Sequence, residues 1–402
     1  MVVSSAGTAL LPDCRVLDLT SSMGALCGKL LRDLGMDVVK VEPPGGDAAR
    51  AEPPLAEGRP QPENSLRFAY LNAGKRGITL DIKKPGGRKL LLDLVARSDI
   101  VVETFAPGYL AAQGLGYEAL LERRRDLILV SLTGFGQDGP YAHFKTTDIV
   151  GNAMGGLLYI SGDPKLTPCN PPETQSYYYA SLFAAYGALL ALWQRESRGI
   201  GAWIDASVQA SMALHEHVAF NYSAEGRIAK RAGSQHQHNA PANLFQCKNG
   251  WISLFVTQNH WPILLKVWDN HDPELDDPKW INSNLRRQHA DYINAQVTSF
   301  TSRFLKEELA EMLQKHGIPG LPVNSPLDFM NDPHIQARGF FAAVDHPALG
   351  SFLQAGSPFM VDGVRPSPSP APLLGQHNEE VFCGEMGLDK RRLEALAQDG
   401  VI

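Results

Sequence analysis

The sequence predicts an α/β fold whose first 150 residues wind doubly around a parallel sheet, followed by a smaller α+β region. Three observations lead there. From Arg15 to Leu132 short apolar runs alternate with helix-like segments, the rhythm of βαβ units. At Arg227–Asn239 the composition turns to polar loop residues (RIAKRAGSQHQHN), which marks a boundary. The length, 402 residues, exceeds the about 100–200 of one domain and so predicts two.

In chain order, RVLDL reads as a strand, the stretch ending LLRDLG as a helix and DVVKVE as the next strand. GITL is a strand that leads through Pro85-Gly86-Gly87, a helix start with proline in its first turn, into RKLLLDLVARS. DIVVET, a short helix near Tyr109–Gln113 and the strand LILVSL complete the first half. Helices follow over Tyr177–Gln194 and near Val208–Tyr222, with the strand AWIDASV between them. Beyond the boundary come the strand WISLFV and the helices WPILLKVW, NAQVTSFTSRFL and KEELAEMLQKHG. After IPGLPVNS the chain is expected to be irregular, with VDGVRPSPSPAPLLG as an extended connector and two short helices in the tail, the first stopped near Gly384–Gly387.

Apolar residues make up 44% and charged residues 20%, ordinary globular values that exclude disordered, collagenous and coiled-coil chains. With 37 Lys+Arg against 43 Asp+Glu the formal charge is −6, so no global basic field exists to hold nucleic acid or an anionic membrane. Five cysteines lie far apart without a CxxC pair, which fits a reduced, cytoplasmic protein rather than a zinc or disulfide framework. The N-terminus lacks the basic region of a secretory signal. Ala180–Trp193, the most apolar stretch, is shorter than the roughly 20 residues that span a bilayer and reads as a buried helix.

The turn after the first strand, TSSMGALCG, fails the GxGxxG pattern that dinucleotides need, although Glu42 ends the second strand where a ribose-binding acid would sit. No GxSxG elbow supports a serine hydrolase, and Cys27 and Cys247 read as packing residues. The i, i+2 spacing of His215 and His217 points their rings to different helix faces, and His236 and His238 have no Cys or acidic neighbour; neither pair predicts a metal site. Lys75, Arg76 and Lys83 surround GITLD, and Lys145 follows GFGQDGP. They form either a solvated surface or a diffuse site for a polyphosphate-bearing ligand, because ammonium groups and loop N–H groups both favour phosphate.

Nine segments in order, VLDLT, DLGMDVVKVEPPGGD, LNAGKRGITLDIKKPGG, SDIVVETFAPGYLAAQGLGYEAL, ILVSLTGFGQDGPY, GALLALWQRESRGIGAWIDAS, HGIPGLPVNS, DPHIQARGFF and PLLGQHNEEV, span nearly the whole chain. In them the sequence resembles the family III CoA-transferases. The resemblance implies a Rossmann-like large domain built from both chain ends (1–225 and 326–402), a small inserted domain (226–325) and dimers of interlocked chains. It implies CoA or acyl-CoA as substrate, a carboxylic acid as the other substrate, no metal, and CoA contacts at Ser22, Met23, Leu80, Lys83, Thr104, Phe105, Thr133 and Lys145.

Pro43 and Ala112 stand where formyl-CoA transferase has arginines, and GSQHQHNAPANLF replaces its glycine-rich loop. Members use an aspartate ten residues before the glycine of the long helix; its carboxylate attacks the thioester to give an acyl-aspartyl anhydride. Counting back from Gly187 places Tyr177 at that position, and a phenol cannot form the anhydride. Glu173, four residues upstream, is the candidate substitute. Thr147 stands where the family's racemases have their histidine, so racemase chemistry is not expected. Three expectations follow. In the first, the chain is the nucleophile-free subunit of a heteromer, paired with a homologous aspartate-bearing subunit as in succinyl-CoA:benzylsuccinate CoA-transferase. In the second, it is a self-sufficient homodimeric transferase, isomerase or lyase using Glu173 or other chemistry. In the third, it binds CoA without catalysis.

Overall fold

The computed structural model describes residues 10–214 and 216–402, the side chains of 216–219 excepted. His215 and the side chain of His217 therefore lie outside the described residues.

Six strands form one parallel sheet: β1 (Arg15–Leu19), β2 (Asp37–Glu42), β3 (Arg76–Thr79), β4 (Ile100–Glu103), β5 (Ile128–Thr133) and β6 (Ala202–Ser207). Their order is β3-β2-β1-β4-β5-β6, with Leu17 opposite Val39 on one side and Val101 on the other. This is the doubly wound order; the direction of winding reverses between β1 and β4, where ligands of open α/β sheets bind at the strand C-termini.

Five of the strands read as continuous apolar runs because both faces are covered. On one face Leu17, Val39, Ile78, Val101 and Leu129 pack with Leu90, Leu91 and Leu94 of the Pro85–Val95 helix. On the other, Val16, Val38, Ile100, Val102 and Val130 meet Leu31 of the Ala25–Asp33 helix and Ala180, Ala184, Ala188 and Ala191 of a long helix, Gln175–Arg198. The alanines recur every three or four residues, so the row faces one way and lets the helix lie close to the sheet. The opposite side of the same helix exposes Leu182, Tyr186, Leu190 and Trp193. The expectation of a buried helix is thus corrected: hydropathy reports apolar content on both sides, and among the described residues only one side is packed against the sheet.

By contacts the chain divides into two compact units, 1–157 with 171–226 and 336–402, and 158–170 with 227–335. The segment 158–170, placed in the large domain by sequence, belongs to the second unit, and the return to the first comes about ten residues later than the expected 325/326 boundary. The second unit carries an antiparallel sheet of β7 (Ala242–Cys247), β8 (Gly250–Phe255) and β9 (Gly320–Pro322). Its core is built around Trp261, Trp268, Trp280 and Phe300. The stretch expected to be irregular contains a hairpin instead, β10 (Phe341–His346) and β11 (Gly350–Ala355). Only Val344, His346 and Gln354 of it are buried, so no apolar alternation announced it.

The C-terminal tail closes the first unit. Gly77 N donates to His377 Nδ1 (3.0 Å) and Thr79 N to Asn378 Oδ1 (2.8 Å), so the tail satisfies part of edge strand β3. Val381, Phe382, Leu396, Val401 and Ile402 then enter the core.

Candidate active site

The turn after β1 is held from several sides. Asp18, wholly buried, accepts from Thr20 N (2.9 Å) and Thr20 Oγ1 (2.6 Å) and receives Lys75 Nζ at 2.7 Å. Burial opposes its ionisation, but Lys75, Lys40 and these hydrogen bonds hold its carboxyl below the usual range. A side chain at Gly28 would collide with that carboxylate, so the glycine of the ALCG segment makes room for the pair. Lys75 also donates to Ala25 O and Asn72 Oδ1, both at 2.9 Å, and Lys40 donates to Thr20 O. Ser21 N donates to Thr104 Oγ1 and Ser21 Oγ to Asp47 Oδ1, each at 2.9 Å. The turn is thereby fixed against the loop after β4.

The positions expected to contact CoA all lie at strand C-termini or in the loops after them, in differing states. Ser22 Oγ donates to Glu52 Oε1 at 2.5 Å, and Met23 O accepts from Ser181 of the long helix at 3.0 Å. Thr104 is the acceptor for Ser21, and Phe105 stacks on Tyr109 with centroids 4.7 Å apart. Lys83 and Lys145 are exposed. Leu80 is only 2% exposed and packs in the core, so any ligand contact there falls to its main chain. Thr133, also buried, accepts from Gly136 N at 2.9 Å and shapes the glycine-rich loop.

Residue 177 sits in the first turn of the long helix. Ser176 N and Oγ both donate to Asp148 Oδ1 at 2.8 Å, and Asn152 Nδ2 reaches Asp148 Oδ2 at 3.0 Å. Tyr177 is half-buried; burial first, then the carboxylates of Asp148 and Glu52, push its hydroxyl up to about 12. Glu173 stands at φ +60° and binds Arg67 Nη2 at 2.8 Å, with its side chain 59% exposed. Its charge, with that of Arg67, acts on Tyr178 rather than Tyr177.

Two carboxyl groups escaped the sequence reading. Glu52 lies in no motif, and its approach to Ser22 spans 30 positions. Glu103 ends β4 beside a cavity of about 100 Å³ lined by Leu110, Tyr117, Ser131, Gln137 and Trp203. Burial raises its pKa to about 7 against hydrogen bonds from Ser131 and Phe105 N. The signal was present, an acid closing an otherwise apolar strand run. Among the described residues no group of three or more His, Cys, Asp or Glu is placed to hold a metal, and no helix is long and apolar enough to cross a membrane.

The family model described as CoA-transferase family III matches residues 11–378. The chain belongs to CoA-transferase family III. A similar protein is succinyl-CoA:mesaconate CoA-transferase of Haloarcula marismortui, 32% identical over 94% of this chain and 97% of the relative. Subunit BbsE of succinyl-CoA:(R)-benzylsuccinate CoA-transferase from Thauera aromatica is 29% identical, over 96% and 97%. Among solved structures, a CAIB/BAIF family protein from Brucella suis superposes with a TM-score of 0.83 at 28% identity, over 94% of this chain and 99% of that one. CoA thioesters are substrates of this family.

Proposed function

We propose that this family III chain serves the movement of CoA between an acyl-CoA and a carboxylic acid as the aspartate-free subunit of a heteromer, its homologous partner carrying the nucleophile. Residue 177 carries the reading. Covalent CoA transfer needs a carboxylate that forms an anhydride with the acyl group and then a thioester with CoA; Tyr177 offers a phenol held neutral far above working pH. Asp148 is engaged on both oxygens and Glu173 is bound to Arg67. The similarity to a named subunit of a benzylsuccinate transferase supports the assignment. So does the exposed row Leu182, Tyr186, Leu190 and Trp193, a surface suited to a partner chain. Ser22, Met23, Thr104, Phe105, Lys83 and Lys145 are the proposed CoA contacts, joined by the main chain at Leu80 and Thr133, in a cytoplasmic assembly without metal.

The test is to purify the chain alone and together with its aspartate-bearing homologue, and to assay CoA transfer over a panel of donors and acids. Turnover is expected only for the pair, and only while the partner's aspartate is intact; turnover by the lone chain overturns the proposal. A self-sufficient homodimer is the second reading, and Glu52, the carboxylate bound to Ser22 beside Tyr177, favours it. Lone-chain turnover that disappears in Glu52→Ala establishes that reading.

A further inference from the structure

Where β4, β5 and β6 run side by side, Glu103 lies opposite Ser131 and Leu129 opposite Trp203. The cavity of about 100 Å³ that these residues line also takes in Leu110, Ala111 and Tyr117 from the two short helices after β4, Tyr109–Ala112 and Tyr117–Leu121. None of the residues proposed to contact CoA lines it.

Its polar groups are few, and two of them can donate. Glu103, only 4% exposed, accepts from Phe105 N at 2.6 Å and from the Ser131 hydroxyl, which itself accepts from Trp203 Nε1. Both partners of the carboxyl are donors, so the proton that Glu103 retains up to about pH 7 is left for a further acceptor. Gln137 lines the same cavity, and its Nε2 is buried without a hydrogen bond among the described residues. Leu110, Leu115 and Leu129 form an apolar wall. Two donors beside an apolar wall match a carboxylate on a short hydrocarbon tail, with one oxygen for each donor. A cavity of roughly 150 Å³ takes up benzene, so this one suits a tail of two or three carbons.

We propose that this cavity binds a short-chain monocarboxylate between the Glu103 carboxyl and the Gln137 amide, at a site separate from the CoA turn. The bound acid keeps its own bonds; the Glu103 O–H donates to one oxygen and Gln137 Nε2 to the other. Asp205, whose charge acts on Glu103, favours the protonated form that the site uses. Glu118, also in the cavity wall, is exposed and screened by solvent. The Tyr117 phenol, pushed up by burial, stays neutral. Affinity therefore holds below pH 7 and falls as Glu103 ionises, because two like charges then share the cavity.

The experiment is calorimetric titration of the full-length chain, in the assembly in which it purifies, with propionate and with propylammonium at pH 6 and pH 8.5. Propionate is expected to bind at pH 6 and on the order of 30-fold more weakly at pH 8.5; propylammonium is expected not to bind. Glu103→Gln, whose amide still donates but does not titrate, should bind propionate equally at both pH values. Ala111→Phe, which adds a ring at an exposed edge of the cavity, should bind it at neither. That surface variant and the pH ratio of the unaltered protein decide the matter even where Glu103→Gln folds poorly. No propionate binding at pH 6, a pH ratio that persists in Glu103→Gln, full binding by Ala111→Phe, or a preference for propylammonium overturns the proposal. Each of these leaves the CoA reading untouched.

Discussion

At the end of β4 the Glu103 carboxyl accepts from Ser131, whose hydroxyl in turn accepts from Trp203 Nε1 at 3.0 Å. Phe105 N donates to the same carboxyl at 2.6 Å. Burial outweighs these bonds and leaves a pKa of about 7, raised from 4.5. The native state then keeps a proton that the unfolded chain has released. The contribution is fully present below about pH 4.5 and is lost as pH rises through 7. We expect Glu103→Gln to remove this slope: relative to the variant, the unaltered protein should lose roughly 2–3 kcal/mol between pH 5 and pH 8. Urea unfolding of both proteins at the two pH values checks it, and parallel profiles would contradict the assignment. At this scale the place of Tyr177 at the start of the long helix was legible from the sequence. Glu52 and Glu103 were not, because what gives each its chemistry, Ser22 for one and the Ser131–Trp203 wall for the other, comes from a separate segment.

The long helix combines two jobs along its two sides. Ala184 and Ala188 are wholly buried against the sheet, where the absence of bulk sets the helix-to-sheet spacing. Ala184→Leu should overpack that contact and cost about 1–3 kcal/mol. Leu190→Ala, on the exposed side, should change the isolated chain by less than about 0.5 kcal/mol. Guanidinium unfolding of the two variants separates them, and equal losses would mean that the alanine row does not set the spacing. The helix itself was legible from its apolar content, and the six strands from their short apolar runs. The β10–β11 hairpin was not, since the side that it buries carries His346 and Gln354 beside Val344 and so shows no apolar alternation.

Over the whole molecule, the proline-rich stretch returns the chain to where it began. Asn378 bonds Thr79 across 299 positions, and the tail adds Val381, Phe382 and Leu396 to the core laid down by the first hundred residues. A chain ending at Pro370 should therefore leave the β3 edge and that core face open. We expect it to aggregate or to lose its cooperative transition in circular dichroism and gel filtration. A soluble, cooperatively unfolding 1–370 fragment would show that the tail is dispensable. The family match over 11–378 includes the part of this tail that pairs with β3, which gives the PLLGQHNEEV segment a structural reason for its pattern.

The sequence by itself determined the strand-and-helix rhythm, the family and the phenol at position 177, because periodicity and motif spacing record what neighbours within one stretch of chain require. The tertiary structure alone decided that Glu173 binds Arg67, that Leu80 is core, that residues 158–170 join the second unit and that Glu52 faces Ser22 beside Tyr177. Each of these depends on which distant segment supplies the partner, and charge, burial and hydrogen bonding take effect only once that partner is within a few ångströms.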